Sequence, residues 1–183
     1  MLIIPEKVII LATPRTGSRA LEAAFSKGVK TKEHHVHPED IAAEAEKLVP
    51  GSSKLPKYTV CRNPYLQTLS WYWHAVVRHE DPSTNGLLKF IRDQHISWYF
   101  DQRLNPYHAA ADKILPYDRD ARATALAIYR ATGAQVKKQV PLIGQSVGLN
   151  STLLNDKVVL KAVEERFPED IELYSEVLRT VYD

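Results

Sequence analysis

At 183 residues and 44% hydrophobic content, the chain is long enough for one sizeable core, and one domain is expected over residues 1–183. Its 24 lysines and arginines against 22 aspartates and glutamates argue against a broadly basic nucleic-acid or membrane-surface binder, so an anion site must be local. A lone cysteine, Cys61, has no internal disulfide partner, and Pro5 interrupts the apolar start Met1-Leu2-Ile3-Ile4; a cytoplasmic protein without a membrane span is the expectation.

Lys7 to Thr13, reading KVIILAT, is a short apolar run closed by Pro14, the pattern of a strand buried on both faces in a parallel sheet. Ser18 then offers a cap for a helix with Ala20, Leu21, Ala24 and Phe25 on one face, stopping near Gly28. Lys30 to Val36 reads as a second strand. Pro38-Glu39-Asp40 opens a helix with Ile41, Ala42, Ala45 and Leu48 inward, ended by Pro50-Gly51. Lys57 to Arg62 (KYTVCR) is another buried strand, and Pro64 starts a helix to about His79. Gly86 to Ile96 reads as helix, Lys113 to Tyr117 as a short strand, and Ala121 to Thr132 as a helix ended by Gly133. Two closing helices fit Asp156 to Phe167 and Glu169 to Tyr182. The sum is an α/β chain, three layers with a central parallel sheet between helices.

Two segments carry chemistry. Thr13-Pro14-Arg15-Thr16-Gly17-Ser18-Arg19 lies between a buried strand and a helix, where backbone N–H groups converge and an anion is welcome. Arg15 adds a full charge, Thr16 and Ser18 hydroxyl donors. An ATP-type phosphate loop needs glycine at Ala12, lysine at Ser18 and a hydroxyl at Arg19, and all three are missing, which argues against a divergent kinase. Arg62-Asn63-Pro64-Tyr65 begins where the KYTVCR strand ends, so Arg62 stands at the carboxyl edge of the sheet, with Ser70 nearly two helical turns beyond Pro64. Taken alone, the first segment also fits a capped helix with a surface arginine, and the second a strand-end arginine paired with a carboxylate.

Together the segments resemble the sulfotransferases that use 3′-phosphoadenosine-5′-phosphosulfate (PAPS). Pro14-Arg15-Thr16-Gly17-Ser18 is similar to their 5′-phosphosulfate loop, and Arg62-Asn63-Pro64-Tyr65 with Ser70 to their 3′-phosphate motif. The resemblance implies a P-loop-like sulfotransferase fold. It implies PAPS binding by Pro14, Arg15, Thr16, Gly17, Ser18, Arg19, Arg62 and Ser70, release of the 3′,5′-bisphosphate (PAP), and no required metal. The acceptor is then a small molecule or glycan carrying a hydroxyl or amine. His35-Val36-His37-Pro38 and the closing stretches Leu149-Asn150-Ser151 and Phe167 to Tyr174 look closer to the carbohydrate-type members than to the cytosolic small-molecule type. The glycine-rich loop of the latter is absent, with Lys137 and Lys138 as partial replacements.

Sulfuryl transfer rests on positioning and charge stabilisation, a role for Arg15, together with a base titrating near neutrality. His34, His35 and His37 crowd one segment, and strand alternation pairs His35 with His37 on one face. His35 is the first candidate base, His37 the second and Glu33 a substitute. Trp71, Tyr72 and Trp73, and again Trp98, Tyr99 and Phe100, wall an acceptor pocket or belong to the core. The competing class is a catalytically silent nucleotide-binding module on the same fold.

Overall fold

The computed structural model describes residues 1–14, 16–33, 35–74, 83–93, 106–117, 121–140 and 151–182. Five strands form one sheet in the order β3-β1-β2-β4-β5: β1 (Leu2–Ile4), β2 (Val8–Ile10), β3 (Val29–Lys30), β4 (Lys57–Arg62) and β5 (Lys113–Tyr117). β2, β4 and β5 run parallel, but β1 pairs antiparallel with both β2 and β3, so the sheet is mixed rather than wholly parallel. The reason lies in Pro5-Glu6-Lys7. A three-residue connection permits only a hairpin, since a parallel return needs a dozen residues or more. The usual hairpin signal, Gly or Asn at the left-handed position, is missing because Glu6 itself adopts φ 60° there. Leu2–Ile4 is thus a strand with an inner place in the sheet.

The strand expected over Lys30 to Val36 does not form: only Val29–Lys30 pairs, as β3, and both residues are exposed at the edge. Beyond it Thr31 bonds back to Met1, and His35 folds over the end of β2, which pulls the chain out of extended register.

Alternation along the strands divides the core. Leu2, Ile4, Val8, Ile10, Val60 and Leu115 face one way and pack with Ala20, Leu21 and Ala24 of α1 (Ser18–Ala24) and Ala125 and Ile128 of α6 (Ala121–Thr132). Ile3, Ile9 and Leu11 face the other way, against Ile41 and Ala45 of α2 (Ile41–Leu48) and Tyr107 of α5 (Pro106–Ala109). On that second face Cys61 meets Tyr174 and Val177 of α8 (Pro168–Tyr182). Helices therefore cover both faces of the sheet. Of the expected inward face of α2, Ile41 and Ala45 are buried, whereas Ala42 is exposed and Leu48 is 36% exposed. A separate cluster joins α3 (Pro64–Tyr72), α4 (Thr84–Asp93) and α7 (Lys157–Arg166) around Leu69, Tyr72, Leu87, Phe90, Val159 and Val163. Among the described residues no helix is long and apolar enough to cross a membrane.

Candidate functional site

Because β2, β4 and β5 are parallel and β1 is antiparallel to its neighbours, Ala12, Arg62, Tyr117, Lys30 and Met1 all meet at one edge of the sheet. The loop after β2 is held there by its own hydroxyls. Thr13 and Thr59 are fully buried and their Oγ1 atoms lie 2.6 Å apart, which ties the loop's first residue to β4. The Thr16 hydroxyl donates to the Thr13 carbonyl at 2.8 Å, closing a turn. Thr16, expected as a ligand donor, thus spends its hydrogen on the loop itself and is 0% exposed.

Gly17, not Ser18, is the residue that caps α1: its φ is 79°, and its carbonyl accepts from Leu21 N at 3.0 Å. A Cβ at Gly17 would sit 2.1 Å from the Tyr117 ring, so glycine is required both by the left-handed backbone and by the close approach. That contact carries the loop across β4 to the end of β5. Tyr117 is in turn the register partner of Arg62, which brings the loop and Arg62 to one place. Ser18 is buried, Pro14 is buried and Arg19 is exposed. Arg15 lies outside the described residues, as do His34, Trp98, Tyr99, Phe100, Leu149 and Asn150.

The Arg62 segment divides its work residue by residue. Arg62 ends β4 half-buried; the Asn63 side chain caps α3 by accepting from Tyr65 N at 3.1 Å and Leu66 N at 3.3 Å; Pro64 fills the first helical position, where its missing N–H costs nothing. Tyr65 donates to Glu164 Oε1 at 2.9 Å, joining α3 to α7, and burial followed by that carboxylate pushes its hydroxyl up to about 12. Ser70 is buried two turns into α3. One turn before it, Gln67 is 3% exposed and its Nε2 has no hydrogen-bond partner among the described residues. Sequence reading passed over Gln67; the available signal was a polar residue three positions before Ser70, on its face of the helix.

His35 comes to rest beside the loop. Its Nδ1 lies 2.7 Å from the Ala12 carbonyl, and since a carbonyl only accepts, Nδ1 carries the proton and the lone pair of the neutral ring sits on Nε2. Burial holds its pKa below the ordinary histidine value, the Ala12 bond opposing this and the positive charges of the amino terminus and Arg19 adding to it. His37 does not share this setting. The strand alternation expected to pair it with His35 is absent; its side chain is 57% exposed and 4.0 Å from Glu39. Glu33 is exposed.

The remaining candidates have structural work. Lys137 donates to the Ala23 carbonyl at 2.8 Å near the far end of α1, and the Lys138 carbonyl accepts from Arg122. Tyr72 is a core residue, tilted against Phe90 at 5.5 Å, with Trp71 and Trp73 half-buried beside it. Tyr117 was legible only as the end of a strand, yet its ring joins the two halves of the site. Comparison with protein-family models, with curated proteins and with solved structures found no match.

Proposed function

We propose that the chain, acting as one domain of P-loop-like sulfotransferase fold, transfers a sulfuryl group from PAPS to a hydroxyl or amine of a small-molecule or glycan acceptor. The observation that carries this reading is the meeting, at one sheet edge, of the tight turn at Gly17, Arg62 and a histidine whose lone pair is set on Nε2. Parallel-stranded α/β sheets bind ligands at such edges.

The residues present fit the donor: the left-handed turn at Gly17 sets the loop at the start of α1, as a 5′-phosphate loop requires, and a strand-end guanidinium with a buried serine beyond it suits the 3′ phosphate. When bound, PAPS supplies a sulfur centre whose bond to the 5′-phosphate oxygen breaks, leaving the 3′,5′-bisphosphate. In this reading Arg62 and Ser70 hold the 3′ phosphate and Pro14, Gly17 and Ser18 line the 5′ side, while the resemblance alone gives Arg15, outside the described residues, the task of countering the leaving charge. His35 Nε2 takes the acceptor's proton. The Ala12 carbonyl, by accepting from Nδ1, fixes the tautomer and ring orientation that this requires.

Adenosine 3′,5′-bisphosphate at about 100 times its Kd should raise stability by roughly 2.7 kcal/mol, a Tm shift on the order of 5 to 10 °C. ATP with Mg²⁺ should do clearly less, and a larger shift with ATP would replace this reading with a kinase. Arg62→Ala should weaken the bisphosphate about 10- to 150-fold while adenosine 5′-phosphate changes little, as expected for a charged hydrogen bond of about 1.5 to 3 kcal/mol. Sulfation of an acceptor panel with labelled donor separates an enzyme from a silent binding module.

A further inference from the structure

Between α1 and β3, at the same sheet edge, an open cleft of about 350 Å³ is lined by Met1, Arg19, Glu22, Lys30, Thr31 and Lys32. Its charges are uneven. The one acid, Glu22, has a side chain only 3% exposed and is already flanked by the Met1 ammonium at 3.6 Å and Lys30 Nζ at 3.5 Å. Arg19 and Lys32 are both exposed, and among the described residues no carboxylate pairs with either. The cleft therefore sets the side chains of Arg19, Lys30 and Lys32 against one carboxylate, with Arg19 and Lys32 left for a ligand.

Position adds the second argument. In the order β3-β1-β2, Lys30 and Ile10 both stand opposite Leu2, two strand spacings or about 10 Å apart, and His35 lies just past Ile10 through its bond to the Ala12 carbonyl. Arg19 and the amino terminus are close enough to act on the His35 charge. The cleft thus lies on one side of His35 and the Gly17 loop, with Arg62 and Tyr117 on the other.

We propose that this cleft receives an anionic group of the acceptor, such as a carboxylate on a sugar-sized molecule, with Lys32 and Arg19 as its ligands, Arg19 serving here rather than on the donor as the resemblance implied, so that the reacting hydroxyl is presented to His35. This rests on the sulfotransferase reading for the role of acceptor, but the anion site itself stands on the charges of the cleft. The volume is near the low end of small-ligand pockets, which begin at about 300 Å³, and admits a group of monosaccharide size.

The test is a calorimetric titration of methyl glucuronide and methyl glucoside, each with and without saturating adenosine 3′,5′-bisphosphate. The glucuronide should bind about 5-fold or more tightly than the glucoside, the order expected of two exposed charge pairs, with the bisphosphate present as well as absent. Lys32→Gln and Arg19→Gln should each cut the preference to about 2-fold, Lys32→Glu should abolish it, and 0.5 M salt should erode it. Lys32→Gln should leave bisphosphate affinity within about 2-fold, and it alters an exposed side chain without touching Glu22. Equal binding of the two glycosides, a preference indifferent to both substitutions, or loss of glucuronide binding when the bisphosphate saturates overturns the proposal. Failure of the bisphosphate to bind in its own titration would instead sink the donor reading, while the charge preference of the cleft is still read from the arm without it.

Discussion

At the scale of single residues, His35 joins a structural bond to a chemical assignment. Desolvation lowers its pKa below 6.5, so the neutral ring persists to lower pH than in a free histidine. The acid limb of turnover should accordingly lie below pH 6.5, and His35→Ala should remove that limb, lowering the chemical rate about 100-fold or more with bisphosphate affinity kept within about threefold. A normal rate in His35→Ala on a verified acceptor would dismiss it as the base. The same shift makes the protein pH-sensitive. A folded pKa below the unfolded one means the unfolded chain binds more protons, so this contribution to stability is present above pH 6.5 and is lost as pH falls through the lowered folded value. His37 is exposed, 4.0 Å from Glu39. Sequence ranked His35 ahead of His37 but put both on one face, because alternation assumes a strand, and the chain from Thr31 onward follows side-chain bonds instead.

At the scale of elements, the parallel strands were legible: β4 and β5 lie at their expected bounds, β2 is confined to Val8–Ile10 within the expected Lys7 to Thr13, and α6 ends where Gly133 takes φ 72°. The cap and proline of α3 were equally readable from Asn63-Pro64. What escaped was β1, because its turn hides behind a glutamate, and the contact of Gly17 with Tyr117, because nothing local to either residue announces a partner one hundred positions away. The bond between Thr13 and Thr59 is of the same long-range kind, and it is testable as a cycle. Thr59→Val should cost about 1 to 3 kcal/mol by stranding the buried Thr13 hydroxyl, and adding Thr13→Val should restore most of that loss in denaturant melts. Additive losses would show that the two hydroxyls do not serve each other. Lys137 shows the opposite error. A lysine with no pattern around it invites a ligand role, and the structure employs it on the Ala23 carbonyl.

At the scale of the whole molecule, the candidate site is assembled from pieces of very different sequence separation. The β1–β2 hairpin turns in three residues, whereas Lys57 and Asp112, which bond at 2.7 Å where β4 meets β5, are 55 residues apart. Loop closure makes the first pairing fast, about 1 to 10 μs for a hairpin, and the second slow. The edge that brings Arg62 opposite Tyr117 is therefore completed late, after the hairpin that carries the Gly17 loop. In pulsed hydrogen exchange during refolding, amides of Leu2 and Ile10, which face each other across the hairpin, should gain protection before those of Leu115 and Tyr117; simultaneous protection would mean that the sheet closes as one unit. The mixed sheet thus has a kinetic consequence: a ligand bridging the loop and Arg62 meets no partner in the folding transition state, so the bisphosphate should slow unfolding and leave the folding rate unchanged.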